Sequence, residues 1–174
     1  MTELRGKRVL LREWRWSDED DLVRLAGDRD IWRNLRDRFA HPYTHEAAQA
    51  WLTQAIPHGV GTNFVVEVAG QFAGGCALHP QEDVYRHSAE VGYWLGRPFW
   101  GQGLATEAIQ TLSAYAFAQF DFARLFAGVF AWNPASCRVL EKSGFVLEGR
   151  LRNAVFKDGV LVDQLMYGRL RDRT

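Results

Sequence analysis

One short stretch, residues 97–108 (RPFWGQGLATEA), constrains the fold of this chain more than any other. The residues before it, 89–95, alternate and are rich in β-branched and aromatic side chains, which predicts a strand. The residues after it, 109–116, carry apolar side chains at helical spacing, which predicts a helix with one apolar face. A glycine-containing loop between a strand and a helix start gathers unpaired backbone N–H groups, so the pattern predicts a place that can hold phosphate.

That chemistry does not select one ligand, and a turn whose glycines only relieve backbone strain remains an alternative. A dinucleotide-binding fingerprint requires a third glycine, but Thr106 stands at that place. A Walker-type loop requires Gly-Lys-Ser/Thr, but Gly103 is followed by Leu104 and Ala105. Both of these nucleotide-binding motifs are therefore set aside.

Residues 100–108 (WGQGLATEA) resemble the acetyl-CoA pyrophosphate loop of the GNAT acetyltransferases, in the ribosomal-protein N-terminal acetyltransferase (RimJ/RimL-like) branch. The usual loop begins with Gln or Arg where Trp100 stands. Residues 133–145 (NPASCRVLEKSGF) are similar to the segment of these enzymes that contacts the pantetheine arm of coenzyme A. The tail from 144 to 167 and the start from 10 to 30 resemble the same branch, so the resemblance covers nearly the whole chain.

The order of periodic segments is one strand, two helices, three strands, a helix, a strand, a helix and two strands, which predicts a mixed α/β sheet with helices on its faces. The resemblance implies the GNAT fold, a mostly antiparallel mixed sheet of about seven strands with helices on both faces. It also implies that the fourth and fifth strands, 89–95 and 123–131, splay apart around the pantetheine arm. Residues 1–174 are expected to form a single domain, since no linker or repeat divides them.

The resemblance implies acetyl-CoA as the cosubstrate. The backbone of Trp94 and Leu95 is expected to pair with pantetheine like an added strand, and Asn133 is expected to meet the pantetheine arm. On the residues alone, Asn133 before Pro134 is simply the N-cap of a helix. The residues implied to hold the pyrophosphate are Gly101, Gln102, Gly103, Leu104, Ala105 and Thr106.

Glu90 is the candidate catalytic base. Strand alternation places it on the same face as Gly92 and Trp94, and most strand glutamates simply face solvent. The resemblance, however, implies a catalytic glutamate at this point. An amine attacks a thioester only when it is neutral, and an unperturbed lysine has a pKa of about 10.4, so a nearby base is chemically useful.

Ser136 is the candidate general acid. Many GNAT enzymes have a tyrosine where Leu140 stands, which returns a proton to the departing CoA thiolate, and this chain lacks it. The resemblance to the RimJ/RimL-like branch implies that Ser136 takes that part, although on the residues alone it is an exposed helix position. Trp32 and Phe39 follow the first helix in a segment that, by the same resemblance, walls the acceptor pocket.

Composition excludes several classes of partner. Lys and Arg together number 21, as do Asp and Glu, so no strong field favours nucleic acid. No apolar run reaches the roughly 20 residues of a membrane span, and the first residues lack the apolar stretch of a signal peptide. Cys76 and Cys137 show no metal-type spacing, and the five histidines, including His79, are expected to be polar groups of loops. No metal is expected, and the predicted compartment is the cytoplasm.

The sequence therefore predicts an acetyl-CoA-dependent N-acetyltransferase that acts by direct transfer to a primary amine. The acceptor is either a protein N-terminus or a small molecule. Two other functions remain open, a non-catalytic acyl-CoA-binding module and a structural subunit that assembles through its aromatic surface. A homodimer is also considered, because GNAT proteins are often dimers.

Overall fold

The computed structural model describes residues 2–172, which contain eight strands and five α-helices. The strands are β1 (Glu3–Arg5), β2 (Val9–Arg12), β3 (Asn63–Val68), β4 (Gln71–Pro80), β5 (Ser88–Leu95), β6 (Arg124–Phe130), β7 (Val146–Lys157) and β8 (Val160–Leu170). The helices are α1 (Glu19–Ala26), α2 (Arg29–Trp32), α3 (His45–His58), α4 (Leu104–Gln119) and α5 (Pro134–Lys142). Among these residues, no helix is long and apolar enough to cross a membrane.

All eight strands form one sheet in the order β1-β2-β3-β4-β5-β6-β8-β7. Every neighbouring pair is antiparallel except β5 and β6, which run parallel. The predicted mixed and mostly antiparallel sheet is therefore confirmed, with one strand more than expected. The additional strand is β1, whose three residues pair with β2 and are too few to produce a readable alternation.

Helices cover both faces of the sheet, as predicted. In β3, Phe64 and Val66 point into the core beneath α4 and α5, whereas Val65 points into the core beneath α1 and α3. This division follows from the two-residue period of a strand, whose successive side chains lie on opposite faces. Both faces of β3 are buried, which explains its nearly continuous apolar sequence.

The parallel pair β5 and β6 separates after a short contact. Their ladder contains only three residue pairs and ends where Glu90 lies opposite Phe126. Beyond that point β5 continues against β4, and β6 continues against β8. The predicted fourth and fifth strands are β5 and β6, so the predicted splay is present.

Candidate active site

The splay opens into a cleft of about 1240 Å³ between β5, β6, the start of α4 and the start of α5. The segment between α1 and α3 forms its outer wall. Most of the predicted site residues line this one cleft: Phe39, Glu90, Trp94, Leu95, Gly101, Gly103, Leu104, Ala105, Thr106, Asn133 and Ser136. The two exceptions are Gln102 and Trp32, whose side chains have other contacts.

The loop before α4 presents backbone amides to the cleft. Gly101 and Gly103 have φ angles of 71° and 76°, a left-handed conformation that favours glycine. Gly103 is the N-cap of the 16-residue helix α4, and no side chain caps its first amides. A Cβ at Gly101 would meet open space, so a ligand can approach this backbone closely. Uncapped N–H groups at a helix N-terminus bind anions, so the loop fits a phosphate group.

Gln102 stabilises the loop instead of lining the cleft. Its side-chain amide donates a 2.8 Å hydrogen bond to the Pro98 carbonyl. Its backbone carbonyl accepts a 2.9 Å hydrogen bond from the Arg8 guanidinium. Arg8 also bonds Glu107, at 3.1 Å. Burial alone would raise the pKa of Glu107, but bonds from the Arg8 and Val9 amides and the Arg8 guanidinium outweigh it and lower that pKa. The loop is therefore fixed to the start of β2.

Trp100 stands where related loops begin with Gln or Arg, and the structure gives it a local role. Its indole N–H donates a 2.7 Å hydrogen bond to the Leu95 carbonyl, which ties the loop to the end of β5. The Arg97 guanidinium lies 4.9 Å from the centroid of the Trp100 ring. A tryptophan at this position is therefore held by local contacts with Leu95 and Arg97.

Glu90 forms an ion pair with Arg36, which lies on the outer-wall segment. The Glu90 side chain keeps 18% of its exposure. It lies directly opposite His79 on β4, so the two side chains share one face of the sheet. The candidate base is therefore held between the outer wall of the cleft and a histidine.

His79 corrects a sequence prediction, because it belongs to β4 and not to a loop. The sequence offers no signal that carries the strand past Leu78, because the pair His79–Pro80 is typical of a turn. Burial and, next, the Arg38 guanidinium lower the pKa of His79, with a smaller contribution from Arg36 and opposition from Glu90. The neutral imidazole lines the cleft beside the candidate base.

Ser136 lies in the first turn of α5 and contacts a residue that the sequence did not indicate. Its hydroxyl lies 2.6 Å from the Tyr93 hydroxyl. Burial raises the pKa of Tyr93 to about 12, although the hydrogen bond with Ser136 opposes this shift. Leu140, the position at which the resemblance led us to look for a tyrosine, is fully buried in the core. Tyr93 therefore brings a phenol to the cleft from β5.

Asn133 is the N-cap of α5, as its residue type predicts. Its side-chain oxygen accepts a 3.2 Å hydrogen bond from the Ser136 amide. Asn133 also lines the cleft. The cap thus fixes the first turn of α5, and with it the Ser136 hydroxyl, beside β5.

The candidate base and acid lie on opposite faces of the sheet. Glu90 and Trp94 share the face of α1 and α3, because even-numbered residues of β5 point that way. Tyr93 points to the other face, where it meets Ser136 of α5. The cleft between β5 and β6 is reached from both sides.

Phe39 lies on the wall of the cleft, whereas Trp32 lies behind it. The Phe39 ring packs edge-on against Trp94, with centroids 5.6 Å apart. The Trp32 ring instead receives the Lys157 ammonium, 3.7 Å from its centroid. Lys157 is 2% exposed and also bonds Asp37 at 2.7 Å. Trp32 therefore supports the wall from outside instead of lining the pocket.

Within residues 2–172, no group of three or more His, Cys, Asp or Glu side chains is arranged to hold a metal ion. The charged side chains that line the cleft come from the outer wall, from α5 and from β5: Asp30, Arg33, Arg36, Arg38, Arg138, Lys142 and Glu90.

Comparison with known proteins matches residues 8–146 to the family described as Acetyltransferase (GNAT) domain. The uncharacterized N-acetyltransferase p20 of Bacillus licheniformis is 29% identical over 177 residues, covering 98% of this chain and 97% of that protein. The ribosomal-protein-serine acetyltransferase of Escherichia coli (strain K12) is 34% identical over 85 residues, covering 49% and 48% of the two chains.

Among solved structures, the ribosomal L7/L12 alpha-N-protein acetyltransferase RimL in complex with coenzyme A superposes with a TM-score of 0.84. It is 23% identical, and the match covers 97% of this chain and 98% of that one. At this identity the likeness concerns the fold, and it confirms the predicted GNAT architecture.

Proposed function

The chain belongs to the GNAT acetyltransferase family, and on that premise we propose that it transfers an acetyl group from acetyl-CoA directly to a primary amine. One observation supports this most strongly. A single cleft connects the amide-lined loop at α4 with Glu90 on one side and Ser136 on the other. Both substrates can therefore meet in one site without a covalent enzyme intermediate.

The cleft offers contacts suited to each part of acetyl-CoA. The amides of Gly101 to Thr106 bind the pyrophosphate, since the helix N-terminus favours negative charge. The separated edge of β5 at Trp94 and Leu95 pairs with the amide groups of pantetheine, as a strand would. Asn133 uses its oxygen as the helix cap, which leaves its side-chain nitrogen to donate to the pantetheine arm.

Acetyl-CoA supplies an activated acetyl carbon, and its transfer forms an N–C bond and breaks a C–S bond whose electron pair leaves with sulfur. Glu90 accepts a proton from the acceptor ammonium, because only a neutral amine attacks. Ser136 gives a proton to the departing sulfur on the opposite face, and Tyr93 orients its hydroxyl. Overall the acceptor nitrogen loses two protons. One passes through Glu90 to water, and the other replaces, through water, the proton that Ser136 gives to the thiol.

The acceptor is a protein N-terminal α-amine or a small-molecule amine. The first alternative is supported by the names of two relatives, which describe acetyltransferases of ribosomal proteins. The second is supported by the aromatic surface that Phe39 and Tyr43 of the outer wall form with Trp94 of β5, which is suited to a compact ligand.

Two measurements test the proposal. Calorimetric titration with acetyl-CoA is expected to show binding at one site per chain. Release of free thiol is then followed against a panel of small amines and peptides with free N-termini. Binding with turnover of at least one amine supports the proposal, whereas an absence of binding would overturn it.

We also propose that residues 1–174 form one domain. We propose that the protein acts in the cytoplasm, where its two free thiols would remain reduced.

We propose, in addition, that the protein forms a homodimer through β7. This strand lies at the edge of the sheet and exposes Val146, Leu151 and Phe156. Unpaired edges with exposed apolar side chains favour association. Sedimentation of the wild type and of Phe156→Lys checks the dimer, since a mass of one chain for the wild type would contradict it.

A further inference from the structure

We propose that the acceptor amine carries an anionic group close to its nitrogen, a carboxylate or a phosphate, which Arg36 binds together with Arg33 and Arg38. The inference rests on the proposed acetyl transfer and specifies the acceptor class of the same cleft. Three observations on the outer wall carry it.

First, residues 33–36 span the opening between the two separated strands. Arg36 pairs with Glu90 on β5. Asn34 accepts a 3.1 Å hydrogen bond from the indole of Trp132, which follows β6. The Arg33 guanidinium lies over the same indole, 4.2 Å from its centroid. An acceptor that reaches Glu90 from the outer wall therefore passes beside these arginines.

Second, the arginines outnumber the carboxylates that could neutralise them. Asp30 and Glu90 line this part of the cleft, but Asp30 is paired with Arg97 at 2.5 Å and Glu90 with Arg36. Asp37 is bonded to Lys157 on the far side of the wall. Within the described part of the chain, no carboxylate oxygen lies within 4.0 Å of a side-chain nitrogen of the two remaining arginines, Arg33 and Arg38.

The positive charge of the wall reaches into the cleft. Burial is the main cause that lowers the pKa of His79, which lies opposite Glu90, and the Arg38 guanidinium adds to it. Arg38 therefore lies close enough for its charge to act beside the candidate base, and a positive charge there repels cations and attracts anions. A purely cationic amine is therefore disfavoured at this wall, although Glu90 requires an amine.

Third, the Arg36–Glu90 ion pair offers one positive and one negative charge, and these are the partners that the anion and the ammonium of a zwitterion require. An acceptor with both an ammonium and an anionic group can insert between them, so that the ammonium faces Glu90 and the anion faces Arg36. Each protein charge then exchanges one partner for another, and the anion gains charge-assisted hydrogen bonds from a guanidinium. An amine without the anion would separate the pair and leave Arg36 without a counterion, at a cost in affinity.

The test uses acceptor pairs that differ only in charge, with thiol release as the readout. The pairs are an α-amino acid and its α-amide, aminoethyl phosphate and ethanolamine, and a peptide with Asp or Asn at its second position. The anionic member of at least one pair is expected to have a kcat/KM at least tenfold higher. The three arms distinguish a free carboxylate, a phosphate and an acidic peptide as sources of the anion.

Arg36→Gln is expected to bring that ratio close to one, and Arg38→Gln is expected to reduce it. Arg36 is 53% exposed at its side chain, so the substitution does not disturb the core. Arg5→Gln, on the distant strand β1, is the matched control and should leave the ratio unchanged. Unaltered thermal unfolding of each variant checks that the fold is kept.

Equal kcat/KM within every pair, or an Arg36→Gln variant that keeps the full preference, would overturn this inference while leaving acetyl transfer intact. Thiol release from no amine of either kind, despite bound acetyl-CoA, would instead overturn the proposed function and this inference with it.

Discussion

The hydroxyl groups of Tyr93 on β5 and Ser136 on α5 lie 2.6 Å apart. Burial raises the pKa of Tyr93 to about 12, so its phenol remains protonated at neutral pH. The two hydroxyls therefore share one hydrogen bond, in which either can be the donor, and we expect Tyr93 to orient the Ser136 hydroxyl. The proposed acid is positioned by a residue whose type and number the sequence pattern did not indicate.

This pairing predicts that substitutions of Tyr93 and Ser136 have non-additive effects on kcat. Ser136→Ala should lower kcat on the order of 10²-fold, as for removal of a proton donor. Tyr93→Phe should lower kcat about fivefold, the effect of losing one hydrogen bond of about 1 kcal/mol. Because Tyr93 acts through Ser136, the double variant should be no slower than Ser136→Ala alone. Steady-state kinetics at saturating acetyl-CoA give the three values, and multiplicative losses would show that the pair is not coupled.

Glu90→Gln tests the base. The variant should lose about 10²-fold in kcat/KM near pH 6, where the acceptor is protonated, and much less near pH 9, where more of the amine is already neutral. Acetyl-CoA affinity should be nearly unchanged, because the pyrophosphate loop lies elsewhere. Glu82→Gln, an exposed residue outside the cleft, serves as the control. A loss that is the same at every pH would rule out proton removal as the role of Glu90.

Gly103 and Gly70 form a matched pair for testing the loop. Both have φ of +76°, so an alanine at either position costs about 1 kcal/mol of backbone strain. Only Gly103 lies in the cleft, where a Cβ would crowd the approach of phosphate. Gly103→Ala should weaken acetyl-CoA binding at least tenfold by calorimetry, whereas Gly70→Ala should bind normally. Equal affinities in the two variants would remove the loop from the proposed binding site.

The pH dependence of stability provides a test of His79. Its folded pKa lies below the unfolded value of about 6.5, because burial and Arg38 disfavour the charged imidazole. As the pH falls, the His79 imidazole of the unfolded chain therefore becomes protonated before that of the folded protein. The contribution of His79 to stability is complete above about pH 6.5 and is lost as the pH drops toward the folded pKa. The melting temperature of the wild type should fall more between pH 7.5 and 5.5 than that of His79→Gln. Parallel curves would contradict the shift.

Lys157→Met tests the support of the outer wall. Replacing a buried ammonium by an apolar chain of similar length should change stability by no more than about 1 kcal/mol, since Asp37 is 75% exposed and returns to water. The wall segment nevertheless loses its attachment, so KM for the acceptor should rise several-fold while acetyl-CoA affinity is kept. Lys7→Met, at an exposed site, is the control. An unchanged acceptor KM would show that the wall holds its shape without Lys157.

The fold was predictable where its signals are local. Two-residue alternation identified β3 and β5, and the glycine loop identified the start of α4, because these patterns depend on near neighbours in sequence. The prediction missed β1, which is too short to show a period. It ended β4 at Leu78, because the polar and rigid pair His79–Pro80 suggests a turn when only the sequence is considered.

The sequence predicted which strand or helix carries each of several site residues, but not which residues of other elements they contact. Glu90 and Ser136 were named from their motifs, but their partners Arg36 and Tyr93 were not. Glu90 and Arg36 are 54 positions apart in the sequence, and Ser136 and Tyr93 are 43 positions apart. Both contacts depend on strand register and on how α5 packs against β5. Trp32 was assigned to the pocket wall because its segment resembles the one that walls the acceptor pocket in this family, whereas its ring lies against the buried ammonium of Lys157, outside the cleft.

The contact between Lys157 and Asp37 spans 120 residues of sequence, and this separation orders events during synthesis. In the proposed donor half of the cleft, β5 and the loop at α4 precede β6, whereas Asn133 and Ser136 follow it, and β6 pairs with the still later strand β8. The wall segment is translated before all of these, yet Lys157, which anchors it, comes after Ser136. A contact between residues so distant in sequence is costly to close until other contacts support it. The wall that we propose to select the acceptor therefore takes its final shape only after residue 157 has been translated and the sheet around it has formed.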